Sequence, residues 1–274
     1  MTALSKASNR KISLCVVILA LAVFSFAQDQ QGQESNHANT ASTACQSTFN
    51  FGSGQTLFNF CISANGNLVQ FTSPEGFEHI REGFIGEGYG VCDFTQKKSY
   101  FNYAEGGTSG NWRTPVITQP AGPNTFPLTI TRTTSDGIFT LTQSYSRNTS
   151  ERIAKIAMTI RNNTGGPKTV YLIRFADIDA NNANHGNSMN EFDFGIDSAW
   201  GYNSHAYGLA VSTVPTTVSH AGMVWSRNDG PDPCNPLVYI VPTPFFGDGS
   251  AGILSSFGLA AGQSKTISVE YQRF

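Results

Sequence analysis

Leu128-Thr-Ile-Thr-Arg-Thr-Thr-Ser-Asp-Gly-Ile-Phe-Thr-Leu-Thr-Gln143 consists of two alternating segments around a turn. Leu128 and Ile130 alternate with threonines before Ser135-Asp136-Gly137, and Phe139 and Leu141 do the same after it. A period of two places apolar side chains on one face and hydroxyls on the other, and β-branched threonine suits such a half-buried pleat. Glycine in the turn supplies the backbone freedom that a tight hairpin needs. The stretch reads as an antiparallel hairpin with one wet face.

The pattern repeats along the chain. Upstream, Asn65-Gly66 separates Phe58-Asn-Phe-Cys-Ile62 from Leu68-Val-Gln-Phe71, a strong hairpin context. Downstream, Ile153 to Ile160 and Val170 to Phe175 flank the turn-rich Asn162-Asn-Thr-Gly-Gly-Pro167. Near the end, Gly262 leads into a strand with Ile267, Val269 and Tyr271 on one face. No long helical period intervenes. The spacing predicts an all-β chain, an antiparallel β-sandwich of jelly-roll, Ig-like or supersandwich type, with little helix apart from a signal peptide. The ending and the Asn162 turn resemble extracellular bacterial β-sandwich domains in style. An outer-membrane barrel is not expected, because the strands lack a uniform ten-residue lipid-facing alternation.

At the N-terminus, Lys6, Arg10 and Lys11 precede the apolar run Ile12 to Phe26, which gives way to polar Gln28-Asp29-Gln30. This is the layout of a secretory signal peptide over residues 1–27. Cys15 follows Leu14 inside the apolar run, which does not suit a lipoprotein cleavage site. Residues 28–44 are polar and predict a disordered leader, leaving 45–274 as one β-sandwich domain. No later stretch approaches the roughly 20 apolar residues of a membrane span. Loss of residues 1–27 leaves 14 basic against 19 acidic residues, net −5. A mildly acidic chain with no run of Lys and Arg is not built for nucleic acid or an anionic membrane.

Cys45, Cys61, Cys92 and Cys234 remain after cleavage, an even number in an exported chain, and none has the C-x-x-C spacing of a redox or zinc motif. A three-residue loop at Gly52-Ser-Gly54 would set Phe51 opposite Gln55 and hence Cys45 opposite Cys61. Cys92 then pairs with Cys234 and ties distant parts of the chain together.

Chemistry is sought first at Arg174-Phe-Ala-Asp-Ile-Asp-Ala-Asn-Asn-Ala-Asn-His-Gly-Asn187. In an extended strand Tyr171, Ile173 and Phe175 share a face with Asp177 and Asp179, so the acids are expected to continue the core face to its rim. With Asn181 and Asn184 they form a candidate Ca2+ loop, since hard ions take carboxylate, amide and carbonyl oxygens. The loop departs from an EF-hand, with Asn182 at the sixth position and Ser188 at the twelfth. An ordinary turn capped by its own Asn and Asp side chains is the competing reading. Glu191 and Asp193 alternate with Phe192 and Phe194, so burial of the aromatics turns these acids toward solvent.

Trp200, Tyr202, His205 and Tyr207 form a candidate carbohydrate-stacking group; Trp112 and Trp225 share that chemistry, and core packing competes for all of them. Glu75-Gly-Phe-Glu78-His79-Ile-Arg81-Glu82 is expected to be a salt-linked solvent face. Asp248-Gly-Ser250-Ala-Gly252 misses the G-x-S-x-G pattern, and Gly86-Glu-Gly88-Tyr-Gly90 is read as a flexible turn, lacking dinucleotide-fingerprint spacing. Asn148-Thr-Ser150 and Asn162-Asn-Thr164 are glycosylation sequons. The expectation is an exported, non-catalytic surface, matrix or carbohydrate-binding sandwich, with Ca2+ as its one candidate cofactor and a carbohydrate or cell-surface component as partner. The alternative is an exported carbohydrate-active enzyme using two of the acids.

Overall fold

The structure is a computed structural model that describes residues 44–180, 190–204, 206–214 and 217–274. The expected signal peptide over residues 1–27, the expected leader up to residue 43, and Asn181, Asn184 and His205 lie outside the described residues.

Strands β1 (Cys45–Phe51), β2 (Phe58–Ser63) and β3 (Leu68–Thr72) form a three-stranded sheet in that order. A five-stranded sheet contains β4 (Glu87–Asp93), β5 (Lys98–Asn102), β10 (Lys168–Asp177), β14 (Ser219–Trp225) and β16 (Ser250–Leu259), ordered β14-β16-β10-β4-β5. The nine-stranded sheet takes β6 (Val116–Thr118), β7 (Leu128–Thr133), β8 (Phe139–Asn148), β9 (Ile153–Asn162), β11 (Asn190–Phe194), β12 (Ser198–Tyr202), β13 (Gly208–Thr213), β15 (Phe245–Gly247) and β17 (Ser264–Arg273). Its order is β15-β11-β12-β13-β17-β9-β8-β7-β6, and all of these pairings are antiparallel. The two larger sheets face one another across an apolar cluster that includes Val91, Leu172 and Ile253 from one and Ile130, Ile156 and Val269 from the other. The three-stranded sheet adds Phe60 and Phe71. The architecture is an antiparallel β-sandwich.

Local signals placed the hairpins correctly. Thr133 pairs with Thr140 around Gly137, which has φ +77°, and Gly66, with φ +88°, closes the β2–β3 turn. Ile267, Val269 and Tyr271 are buried on one face. Cys45–Cys61 and Cys92–Cys234 are bonded, with Cα atoms 5.6 and 4.9 Å apart. The register behind the first pairing differs from the expected one: Phe51 lies opposite Phe58, and a 3-10 turn over Gly54–Thr56 lengthens the loop. Cys45 consequently lies opposite Ser63 across a bulge and reaches Cys61 diagonally.

Three further expectations are corrected. Residues 86–90 are no flexible turn, because Glu87–Asp93 is a fully buried strand. Gly88 and Gly90 pair with Phe175 and Ile173, on the side away from the main core. A Cβ on Gly86 would lie 1.9 Å from the Asn228 carbonyl, and one on Gly90 would lie 2.4 Å from Pro233. The glycines let a covering segment, 226–244, lie directly on the five-stranded sheet. The face of Tyr171, Ile173 and Phe175 is likewise not the main core face: Leu172 and Ala176 point to the main core, while Ile173 and Phe175 join a second cluster with Tyr103, Met223 and Trp225. Because β10 is buried on both sides, alternation separates its two faces without telling which of them meets the main core.

Glu78 and His79 form no solvent face. Glu78 accepts from the Phe71, Ile80 and Arg81 amides and from Thr72 Oγ1, and His79 Nε2 lies 2.9 Å from the Ser73 carbonyl. Both residues are buried supports for the turn after β3. Asn162 of the second sequon is buried too, its amide donating to the carbonyls of Gly166, Leu259 and Ala260.

Candidate functional site

The end of β10 delivers two carboxylates into a closed corner. Asp177 donates its amide to the Gly86 carbonyl at 2.5 Å, and Asp179 donates its own to His79 O at 3.0 Å. These bonds fix the backbone, and the glycines at 83 and 86 leave room for the acid side chains. Asp177 is 2% exposed and Asp179 4%. Asp177 pairs with Ser250 at the end of the β10–β16 ladder, and Asp248 lies two residues before Ser250 in the turn that leads into β16. The three carboxylates bring one oxygen each to within 4.8 Å of one another.

Nothing basic balances them among the described interactions. Burial pushes the Asp177 carboxyl well above the usual carboxylate range, and Asp179, Asp248 and Asp229 add to the effect. Burial, then Asp248 and Glu82, lifts Asp179 to about 7. Partial cover raises Asp248 as well. The Asp177 and Asp179 Oδ1 atoms have no hydrogen-bond partner among the described residues. Like charges about 4 Å apart repel by about 1 kcal/mol in water and about 4 kcal/mol near a protein surface. A corner of this kind must either hold protons or take a cation. The three acids could hold a metal ion, and Asn181 and Asn184 lie outside the described residues.

A second feature adjoins the first, on the outer face of the nine-stranded sheet. Phe192 is buried, which turns its neighbours Glu191 and Asp193 outward. Glu191 pairs with Tyr202 on one side and Phe246 on the other; Asp193 pairs with Trp200. Glu191 therefore stands between two aromatic rings, with Asp193 and Trp200 one row along. A groove of about 210 Å³ runs over Glu191, Asp193, Tyr202, Pro244 and Phe245–Phe246. Tyr202 donates its hydroxyl to Glu191 Oε2 at 2.5 Å, and Asp193 Oδ1 accepts the Phe194 amide at 2.7 Å. The Tyr202 phenol is raised by the Glu191 hydrogen bond first and by burial second.

Tyr207 lies apart, its ring 4.1 Å from that of Phe77 and 4.9 Å from the Arg273 guanidinium. Trp112 and Trp225 are buried, and Trp225 donates its indole N–H to the Pro236 carbonyl at 2.7 Å. The acids thus form two groups, Asp177–Asp179–Asp248 and Glu191–Asp193, and Glu78 joins neither. Sequence reasoning missed Asp248 and Phe246. Asp248 was visible only as part of a failed nucleophile motif, since its partners are set by strand pairing over a long stretch of chain.

No family model and no curated protein matches the chain. In fold it is similar to a bacterial glucoamylase solved in complex with acarbose, at TM-score 0.59 and 11% identity, over 90% of this chain and 34% of that one. The chain spans about a third of that enzyme's length. A putative aldose 1-epimerase of Escherichia coli K12 aligns at TM-score 0.48 and 9% identity, over 83% of this chain and 99% of that one. A galactose mutarotase related enzyme from Lactobacillus acidophilus aligns at 0.39 and 8%, over 82% and 97%. At such identities the likeness to the glucoamylase is one of fold.

Proposed function

We propose that the chain is an exported, non-catalytic carbohydrate-binding β-sandwich, one domain over residues 45–274, that takes sugar in the outer-face groove and is stabilised by Ca2+ at Asp177, Asp179 and Asp248. One observation carries the sugar reading: the row Phe246–Glu191–Tyr202 beside Asp193–Trp200, set by register on one sheet face. Aromatic faces stack on the apolar faces of sugar rings, and the carboxylates accept from hydroxyls. The fold likeness to the glucoamylase supports this reading, since that protein was solved with acarbose. An all-oxygen acid set without His or Cys supports a hard cation, for which Ca2+ is the natural choice.

Export is supported by the signal-like N-terminus and the two disulfides. Among the described residues no helix is long and apolar enough to cross a membrane. Binding is preferred to hydrolysis because the two acids in the groove are already engaged, Glu191 Oε2 by the Tyr202 hydroxyl and Asp193 Oδ1 by the Phe194 amide, while Glu78 spends its oxygens on backbone amides and Thr72 and the Asp triad stands outside the groove lining.

The test is a glycan array on the purified mature protein, with product analysis of every hit. Binding without turnover is expected, and new reducing ends from a bound glycan would identify an enzyme instead. In parallel, Ca2+ should raise the melting temperature and chelation should lower it, because a ligand of the native state alone stabilises it by mass action. Identical melting curves, with no metal in the native protein by elemental analysis, would remove Ca2+ from the reading.

A further inference from the structure

The acidic corner and the groove share one short piece of chain. β15 is a three-residue edge strand paired to β11, and its Phe245 and Phe246 wall the groove. Asp248 follows one residue later, in the turn that leads into β16. Asp177 and Asp179 are held by the amide bonds to Gly86 and His79 and are buried. Asp248 is exposed on its turn, so it is the triad member free to swing away. Gly249 is pressed between chain segments, since a Cβ there would lie 2.6 Å from the Trp225 carbonyl and 2.7 Å from the Phe245 ring. A displacement of the turn is therefore passed to Phe245.

Resting on the reading of a sugar groove beside a cation corner, we infer that a divalent cation bridging Asp248 to Asp177 and Asp179 locks the β15–β16 turn and thereby builds the groove wall. Cation and groove ligand then bind cooperatively without touching. Two independent observations support the cation: three converging carboxylates, and two side chains more than nine-tenths buried whose Oδ1 atoms lack partners among the described residues. Without a cation the corner must take up protons or separate its carboxylates, and the exposed turn is the part able to move away. Coupling free energies of this kind typically change affinity by roughly 5- to 150-fold, and the effect must be reciprocal.

The experiment uses the full mature chain. Hydrogen exchange is followed with CaCl2 and with EGTA, and binding of a glucosamine hexamer is measured by calorimetry in both. Calcium is expected to protect residues 244–249 and 190–193 as well as 177–179, and to tighten hexamer binding about tenfold. D248N, with its melting temperature checked in EGTA, should lose both calcium effects, so that its exchange pattern and hexamer affinity are the same in CaCl2 and in EGTA. Calcium binding that protects only 177–179, or no calcium binding at all, overturns the inference while leaving the groove reading to its own test. If the turn is protected but no glycan on the array binds in either condition, the sugar reading fails and the cation lock stands.

Discussion

Arg174 carries its charge into the interior with its donors engaged. Its Nε is 2.7 Å from Glu87 Oε1 and 3.0 Å from the Tyr271 hydroxyl, Nη1 is 2.6 Å from Gln143 Oε1, and Nη2 is 3.2 Å from the Gly66 carbonyl. Glu87 accepts in addition from the Tyr271 hydroxyl and the Leu68 amide. Taking both ions out of water costs several kcal/mol each, which attraction and these hydrogen bonds offset only as a set. Arg174→Met should therefore cost about 3–5 kcal/mol in urea unfolding, because Glu87 is left buried and unpaired. Burial already raises the Glu87 carboxyl, and losing Arg174 raises it further. An acid raised in the folded state binds more protons there, so the deficit should grow as pH rises from the unfolded value of 4.5. Adding Glu87→Leu should recover much of the loss, and a double variant no better than R174M would refute the argument. His220 is a smaller case with the opposite charge. Its Nδ1 and Nε2 face the Val218 carbonyl at 2.7 Å and Asp197 Oδ1 at 2.5 Å, and only the imidazolium can donate to both. The Asp197 hydrogen bond is the main cause of its raised pKa. Its contribution should be full below pH 6.5 and fade as pH rises through the folded value. Being a pair at the surface, it should be worth less than about 1 kcal/mol. An NMR titration of His220 with its midpoint at or below 6.5 would contradict this.

The alternate glycines of β4 show how a whole element can carry a signal that a motif search misreads. Gly86 and Gly90 leave room for the covering segment 226–244, at Asn228 and Pro233, while Gly88 between them lets the Asn102 carbonyl and the Asn67 side chain approach. That segment is fastened by Cys92–Cys234, by the Tyr103 hydroxyl on the Pro231 carbonyl, and by Trp225 on Pro236. Gly90→Ala should lower the melting temperature, because its Cβ would meet Pro233 and the Tyr103 hydroxyl at 2.4 Å, and overpacking of this kind costs about 1–3 kcal/mol. Gly258→Ala on β16 has nothing within 4 Å and should stay within about 0.5 kcal/mol of the parent. Equal effects of the two would show that the close approach does not matter. What was legible at this scale was local. Asn65-Gly66 and Asp136-Gly137 announce their turns because the needed backbone conformation lies within a few residues. The β1–β2 register was not legible, since a 3-10 turn replaces the shorter loop. Asp177 and Asp179 could be placed together on one face, whereas Asp248 joins them only through the β10–β16 register, which no local pattern encodes.

On the proposed sugar reading, charge over the whole molecule bears on which glycans suit the groove. The full chain carries a formal charge of −2, and the groove contributes Glu191 and Asp193 with no Lys or Arg in its lining. A glycan with carboxylates or sulfates meets like charge there, while a protonated amine meets two carboxylates flanked by the rings of Phe246, Tyr202 and Trp200. Rings and carboxylates together favour a cation, the rings through their negative faces. At an exposed site each charge pair near 4 Å contributes about 1 kcal/mol. Two such pairs amount to about tenfold or somewhat more in affinity once screening is allowed for. A glucosamine hexamer should bind about tenfold more tightly than an N-acetylglucosamine hexamer at low salt, and oligouronates should not bind. The preference should shrink at 1 M salt, where the screening length falls to about 3 Å. Replacing Glu191 with Gln and Asp193 with Asn should bring the two hexamers to similar affinity while leaving the melting temperature nearly unchanged, since both side chains lie on the solvent side of β11. Calorimetry on the three ligands decides it. Equal affinity for both hexamers in the parent protein would mean that the rings, and not the acids, select the ligand.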